Sequence, residues 1–387
     1  MGQLFLLGVV PRLIAASVLT IYRPQGLFPD EVVVLKSARG IVHGDLEASS
    51  VNLWNSNWSF FRPVVYLTEL LRDPAVAGRL FGIISGGCLT LLIYLAGRRI
   101  SETCGIRASA LYALFPSQIL WSSLALKDSF VALLVASVFL LIVSLTGMAT
   151  SQQRIKTRIF STALTALIGC LLFIALTGAR LYTAGALVFA LVLAYVIRLL
   201  FLRSWLKVSV VLSGVLIALF SAPTLNFVVD GTRGNENLRQ LEYETANTLI
   251  SCDAISLLPG SEPTDAGWIA DFSCLPYSLR MILFDPFPNQ WPSSSKLVFL
   301  SAENLIWWPM LVSAFWISVR NLKRDQPDFV ILCLTSFLLI SALQWALIDR
   351  VIGTAVRHRT DFFWAACILA AAFVDTIQSS RTKPEII

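Results

Sequence analysis

Charge is scarce in this chain of 387 residues. Asp, Glu, Lys and Arg together make up 14 % of it, against about 25 % in soluble domains. Too few ionised groups are present to clothe a water-facing surface, so a soluble globular enzyme is excluded. Disorder is excluded as well, because a disordered chain needs low hydrophobicity and high charge. Histidine is scarcer still, with 2 residues, and no Cys/His cluster has metal-ligand spacing. There is no GxxxxGK[ST] phosphate loop and no HExxH pair. Internal repeats, low-complexity tracts and long basic runs are also missing. The net charge of +6 is modest, and no nucleic-acid partner is expected.

What the chain has instead is apolar length. Hydrophobic residues make up 56 %, and a membrane-spanning helix takes about 20 residues. Ten apolar segments stand out, at 3–22, 80–97, 108–124, 129–147, 159–177, 181–201, 206–224, 297–319, 329–348 and 361–378. The first is long enough to span and no small-residue cleavage site follows it, so it reads as a helix that is retained. The expected fold is an all-α polytopic membrane protein of about ten transmembrane helices, a single integral membrane domain over 1–387.

Charge sets the orientation. With the N-terminus in the cytoplasm, the inner connections carry Arg98, Arg99 and Arg107; Arg154, Lys156 and Arg158; Arg203 and Lys207; Arg320, Lys323 and Arg324; and Arg381 and Lys383. Only Glu102, Asp325, Asp328 and Glu385 oppose them. Every inner connection is positive, as the positive-inside rule requires. Two large loops then face outward, 23–79 and 225–296. The first holds two amphipathic stretches, 31–42 and 61–71, that suit helices lying in the membrane interface. Of 7 cysteines, Cys252 and Cys274 share an external loop. An oxidising exterior would let them pair; two free thiols is the alternative.

Ionisable groups at a membrane surface are costly and tend to be functional. Four outer groups qualify. Phe28-Pro29-Asp30-Glu31 places two adjacent carboxylates just after the first span. A carboxylate partly withdrawn from water is a stronger base than one in solution, although proline followed by acids also suits a helix start. Leu126-Lys127-Asp128-Ser129 forms a tight outer turn behind the irregular Phe115-Pro116-Ser117 and Trp121-Ser122-Ser123. There Asp128 reads equally well as a helix N-cap. Arg350, Arg357, His358 and Arg359 crowd a short outer connection against the positive-inside trend. Arginine suits phosphate, since its fork donates two hydrogen bonds at once; snorkelling at a helix end is the other reading. The fourth group runs from Pro276-Tyr277 and Arg280 through Phe284-Asp285-Pro286-Phe287-Pro288 to Glu303-Asn304 and Trp307-Trp308. It suits either a way in for a lipid chain or the ordinary aromatic belt.

In this order the motifs resemble those of the GT-C glycosyltransferases, membrane enzymes that take a sugar from a polyprenyl-phosphate carrier. The Asp30-Glu31 pair opens the first outer loop. A basic inner turn, Gly97-Arg98-Arg99, closes the second span. Phe115-Pro116-Ser117, Trp121-Ser122 and Lys127-Asp128 end the third. Pro286-Phe287-Pro288, then Glu303-Asn304 and Trp307-Trp308, and finally Gly353-Thr354 and Arg357-His358-Arg359, are similar to bacterial members of the protein O-mannosyltransferase kind. The resemblance implies inverting transfer, with Asp30 as base, Glu31 orienting the acceptor or tuning Asp30, and Asp128 positioning the acceptor or a metal. It implies Arg357 and Arg359 as the donor phosphate site, helped by Lys127, Arg280 and His358. It leaves a divalent cation open and names no other cofactor. The implied partners are a polyprenyl-phosphate-linked sugar, membrane lipid, and a glycan, lipid or protein acceptor. The implied location is the bacterial inner membrane with the site facing outward.

Three rivals stand beside it. A polysaccharide polymerase or O-antigen ligase also relies on external arginines but needs no acidic pair after the first span. A lipid-linked sugar transporter would show paired halves and mid-membrane charge. A non-catalytic scaffold would leave the arginine cluster without a purpose.

Overall fold

The structure is a computed structural model of the chain. It describes residues 1–44, 48–148, 155–202, 267–287, 295–348 and 352–381. Among these the protein is all-helical, without strands. The helices are α1 (Gly2–Tyr22), α2 (Pro29–His43), α3 (Ala48–Ser56), α4 (Trp58–Leu71), α5 (Pro74–Gly97), α6 (Glu102–Leu114), α7 (Pro116–Ser122), α8 (Asp128–Met148), α9 (Ile155–Phe201), α10 (Gly267–Phe284), α11 (Ser295–Leu322), α12 (Phe329–Ile348), α13 (Ile352–His358) and α14 (Thr360–Arg381). Six of them are long and apolar enough to cross a membrane: α1, α5, α8, α9, α12 and α14. The expected segment 206–224 lies outside the described residues, as do most of the 225–296 loop and Cys252; nothing is described of the Cys274 side chain.

One expected span is split between two helices, and two others run together in one helix. The 108–124 segment is not one helix. Phe115 is extended at φ −73°, ψ 123°, because the residue before a proline is pushed out of the helical region. Pro116 then starts α7 afresh. Arg12, fully buried in α1, serves this break. It donates from Nη1 to Ala113 O (3.2 Å) in the last turn of α6 and from Nε to Ser122 Oγ (2.6 Å) at the end of α7. A buried helix end needs such partners for its carbonyls. In the second case, α9 runs for 47 residues, about 70 Å at 1.5 Å per residue. It breaks at Arg180, which is extended at φ −163°, ψ 92°. The pieces on either side match the expected 159–177 and 181–201 segments.

The first loop is shorter than the expected 23–79. Asp73 caps α5, its Oδ1 accepting from Ala75 N (2.7 Å) and Val76 N (3.1 Å), so Arg79 already belongs to the helix. Within the loop, α2 opens with Pro29 at its first position and acids in its first turn, and it ends at Gly44 with φ 78°. These are the residue types that helix starts and stops favour. Phe60, Phe61, Val64 and Val65 of α4 pack with Val34, Leu35 and Ala38 of α2, Ala75 of α5 and Ala125. The loop helices are thereby fixed to the spans.

The chain divides into two compact units. The first comprises Met1–Val188, Leu305–Val319 and Thr360–Ile387; the second comprises Phe189–Asn304 and Arg320–Arg359. In the first unit, a stripe of glycines on α5 sets the packing. A Cβ at Gly78 would lie 2.5 Å from the Ala125 Cβ, one at Gly82 would lie 2.7 Å from Ser122 O, and one at Gly86 would lie 2.5 Å from Arg12 Nε. Small residues every fourth position let helix backbones approach in a membrane. Here they seat the α7–α8 connection against α5. At the opposite helix ends, Asp375 of α14 accepts from Thr103 (2.6 Å), Ser101 and Arg107, and Arg99 donates to Ser144 of α8 (2.8 Å). In the second unit α10, α12 and α13 pack together.

Candidate functional site

The helix ends of the first unit that carry Asp30 gather the acidic motifs of the sequence. Asp30 is exposed in the first turn of α2, and Glu31 beside it is fully buried. The Glu31 carboxylate accepts from Arg79 Nε (3.0 Å) and Ala125 N (3.1 Å) through Oε1, and from Leu27 N (2.6 Å) through Oε2. Arg79 in turn donates to Thr20 Oγ1 (2.9 Å) and Arg23 O (2.8 Å). One ion pair therefore ties the end of α1, the start of α2, α5 and the α7–α8 turn. Glu31 faces this joint and not the solvent.

Three residues beyond Ala125 lies Asp128, also fully buried. Its Oδ1 meets Arg180 Nη2 at 2.6 Å, and Arg180 Nη1 lies 2.8 Å from both oxygens of Asp361 at the start of α14. Thr183 Oγ1 adds a bond to Asp361 Oδ2 at 3.2 Å. An Asp–Arg–Asp bridge thus locks α8, α9 and α14 together at the α9 break. Removing one partner from such a pair strands the other charge in a medium that cannot solvate it. Lys127 is half-buried, and its Nζ donates to Asn57 Oδ1 at 2.5 Å, which brings in the turn between α3 and α4. Next to Asn57, Ser59 Oγ donates to Ala175 O (2.6 Å), and Trp58 lies so close to Gly178 that a Cβ there would sit 2.2 Å from the indole.

In the second unit Arg359 is buried, and its guanidinium is fully engaged. Nε donates to Ile282 O (2.6 Å), Nη2 to Met281 O (3.2 Å) and Asp285 O, and Nη1 to Asn304 Oδ1 (3.3 Å). It caps the last carbonyls of α10, the service helix ends require. Burial pulls its pKa down to about 10, while Asp285 and Glu303 push the other way; it stays cationic at neutral pH. Asn304 Nδ2 reinforces the joint by donating to Phe284 O (3.1 Å) and Pro286 O (2.9 Å). His358 stacks on Trp345 with ring centroids 3.5 Å apart. Arg357 is half-buried. Arg280 is 49 % exposed, 3.6 Å from Asp285, and flanked by Phe287 and Tyr277 at 4.9 and 5.9 Å from their ring centroids.

Asp30, Glu31, Lys127 and Asp128 therefore belong to one region of the first unit, whereas Arg280, Arg357, His358 and Arg359 belong to the second. Sequence reasoning missed Arg79, Arg180, Asp361 and Asn57 as partners. Arg180 carried a readable signal: a lone arginine between two apolar segments is costly and seldom idle. Asn57 had none. The described acids do not gather around a place for a divalent cation. Among the described residues no group of three His, Cys, Asp or Glu side chains is arranged to hold a metal. Asp128 and Asp361 already hold a guanidinium between them. Comparison with protein-family models, curated proteins and solved structures finds no match.

Proposed function

We propose that the protein is a membrane glycosyltransferase that moves a sugar from a polyprenyl-phosphate donor to an acceptor hydroxyl, with inversion, at the outer face of the bacterial inner membrane. In this reading the chain has ten spans with both termini in the cytoplasm, and α2 to α4 lie along the outer interface. The observation that supports it best is the Glu31 joint. It ties the acidic start of the first loop to the turn that carries Lys127 and Asp128, two motifs that are far apart in sequence.

Asp30 is the exposed member of the acidic pair and takes the acceptor proton as general base. The acceptor oxygen then bonds to the anomeric carbon as the bond to the phosphate oxygen breaks. Polyprenyl phosphate leaves as a stable anion, so it needs charge stabilisation and not protonation. Arg357 is the principal candidate for that task. Lys127, Arg280 and His358 are its helpers, and Arg359 supports the α10 end from within. Glu31 and Asp128 hold the scaffold that aims Asp30.

Purified protein, a polyprenyl-phosphate sugar and single substitutions test the reading. Arg357→Ala is expected to raise the donor KM. Arg357→Lys should rescue it only in part, because an ammonium lacks the planar fork. If Arg357→Ala abolishes transfer while Asp30→Asn leaves it intact, the polymerase or ligase reading replaces this one.

A further inference from the structure

The α3–α4 corner carries chemistry that the transfer reaction as described leaves unused. Trp54, Trp58 and Arg62 follow one another at four-residue spacing. Backbone bonds from Asn57 N to Leu53 O (3.1 Å) and Phe61 N to Asn57 O (2.8 Å) carry the helical turn through the corner. The Arg62 guanidinium lies 5.0 Å from the Trp54 ring centroid and 6.0 Å from that of Trp58, and its Nε donates to Trp54 O at 3.4 Å. Tyr66 meets Trp54 edge-on at 6.3 Å. Both indoles are half-buried, so they are held rigidly and still present a surface.

Around them stand neutral hydrogen-bonding groups. Asn52, Asn55 and Ser56 are exposed and Asn57 is half-buried. Over residues 48–68 the only charged side chain is Arg62. Rigid indoles offer a flat apolar face, and the C–H face of a pyranose ring is flat, apolar and slightly positive. Carboxamides match vicinal hydroxyls, because each offers a donor pair and an acceptor. The charges at the corner are already engaged: the Arg62 guanidinium lies against the indoles, and Lys127 donates to Asn57. The corner is also joined to the candidate site, since Asn57 accepts from Lys127 (2.5 Å), the neighbour of Asp128.

We infer that Trp54, Trp58 and Asn57 form a subsite for a neutral sugar ring, with the indoles beneath the ring and Asn57 on its hydroxyls. The assignment rests on the transferase reading for its purpose but not for its test. The sugar has two sources, the acceptor glycan or the donor's own glycosyl group, and the experiment separates them.

The protein is labelled with 5-fluorotryptophan and placed in nanodiscs free of glycoside detergent. Its 19F spectrum is followed, and Trp54→Phe assigns one resonance among the 11 tryptophans. The probes are maltose, lactose and mannobiose, a short prenyl-phosphate mannose, and the same prenyl phosphate without sugar. A saturable shift of the Trp54 resonance with a free disaccharide, with Kd on the order of 1 mM, marks an acceptor-side subsite. A shift with the prenyl-phosphate mannose alone marks a donor-side one. Asn57→Ala should weaken either response several-fold, with the resonances of tryptophans other than Trp54 and Trp58 unmoved. Equal shifts with and without the sugar would mark an aromatic belt in contact with lipid and overturn the inference. So would no shift at all. Because binding is read apart from turnover, a silent Trp54 in an active transferase sinks only the subsite. A responding Trp54 in a protein that transfers nothing sinks only the transferase.

Discussion

Two neighbouring carboxylates, Asp30 and Glu31, do different work because a helix turn points them to different surroundings. Glu31 is enclosed and bonded to Arg79, Leu27 N and Ala125 N, while Asp30 faces outward. Glu31→Gln leaves the Arg79 guanidinium buried without its counter-charge. It is expected to destabilise the protein by about 3–5 kcal/mol, read as an early unfolding transition of the detergent-solubilised protein. Asp30→Asn should leave that transition unchanged. Arg180→Gln is expected to behave like Glu31→Gln, because it strands Asp128 and Asp361 together. A normal transition in Arg180→Gln would show that the Asp–Arg–Asp bridge does not hold α8, α9 and α14. The existence of the acidic pair was legible in the sequence. Its division of labour was not, since nothing in Pro29-Asp30-Glu31 shows that Arg79, 48 residues on, arrives beside one acid and not the other.

At the scale of elements, close approach decides the packing. Gly82 faces Ser122 O and Leu124 O, at 2.7 and 2.8 Å from any added Cβ, whereas Gly185 has nothing within 4 Å. Gly82→Ala should therefore force backbone apart and cost about 1–3 kcal/mol. Gly185→Ala should be neutral or stabilise slightly, as alanine for glycine does within a helix. Thermal unfolding of the two variants side by side checks the contrast, and equal losses would refute the packing described. The apolar runs of α1, α5, α8, α12 and α14 were legible because length and hydropathy alone define a span. The proline behind the Phe115 break was visible and its surroundings irregular, but 108–124 still read as one apolar segment. What tipped it was Arg12, whose partners Ala113 O and Ser122 Oγ lie about a hundred residues away. Period and composition carry no trace of that pairing.

For the whole molecule, the polar joints of the first unit fall at two opposite sets of helix ends. One set of ends holds the Glu31–Arg79 pair and the Asp128–Arg180–Asp361 bridge, and the opposite set holds the Arg107–Asp375 pair and the Arg99–Ser144 bond. A cysteine replacing exposed Asn55 should react with an impermeant maleimide in intact cells, and one replacing Lys323 only after permeabilisation. The opposite pattern would invert the orientation and with it the assignment of Asp30 to the outside. The central claim is base-assisted transfer, and one comparison meets it most directly. Turnover of a polyprenyl-phosphate sugar is measured for the unaltered protein and for Asp30→Asn. Loss of a general base costs about 10²–10⁴ in rate, so kcat should fall by that factor while the donor KM holds. Near-normal turnover by Asp30→Asn would contradict the account.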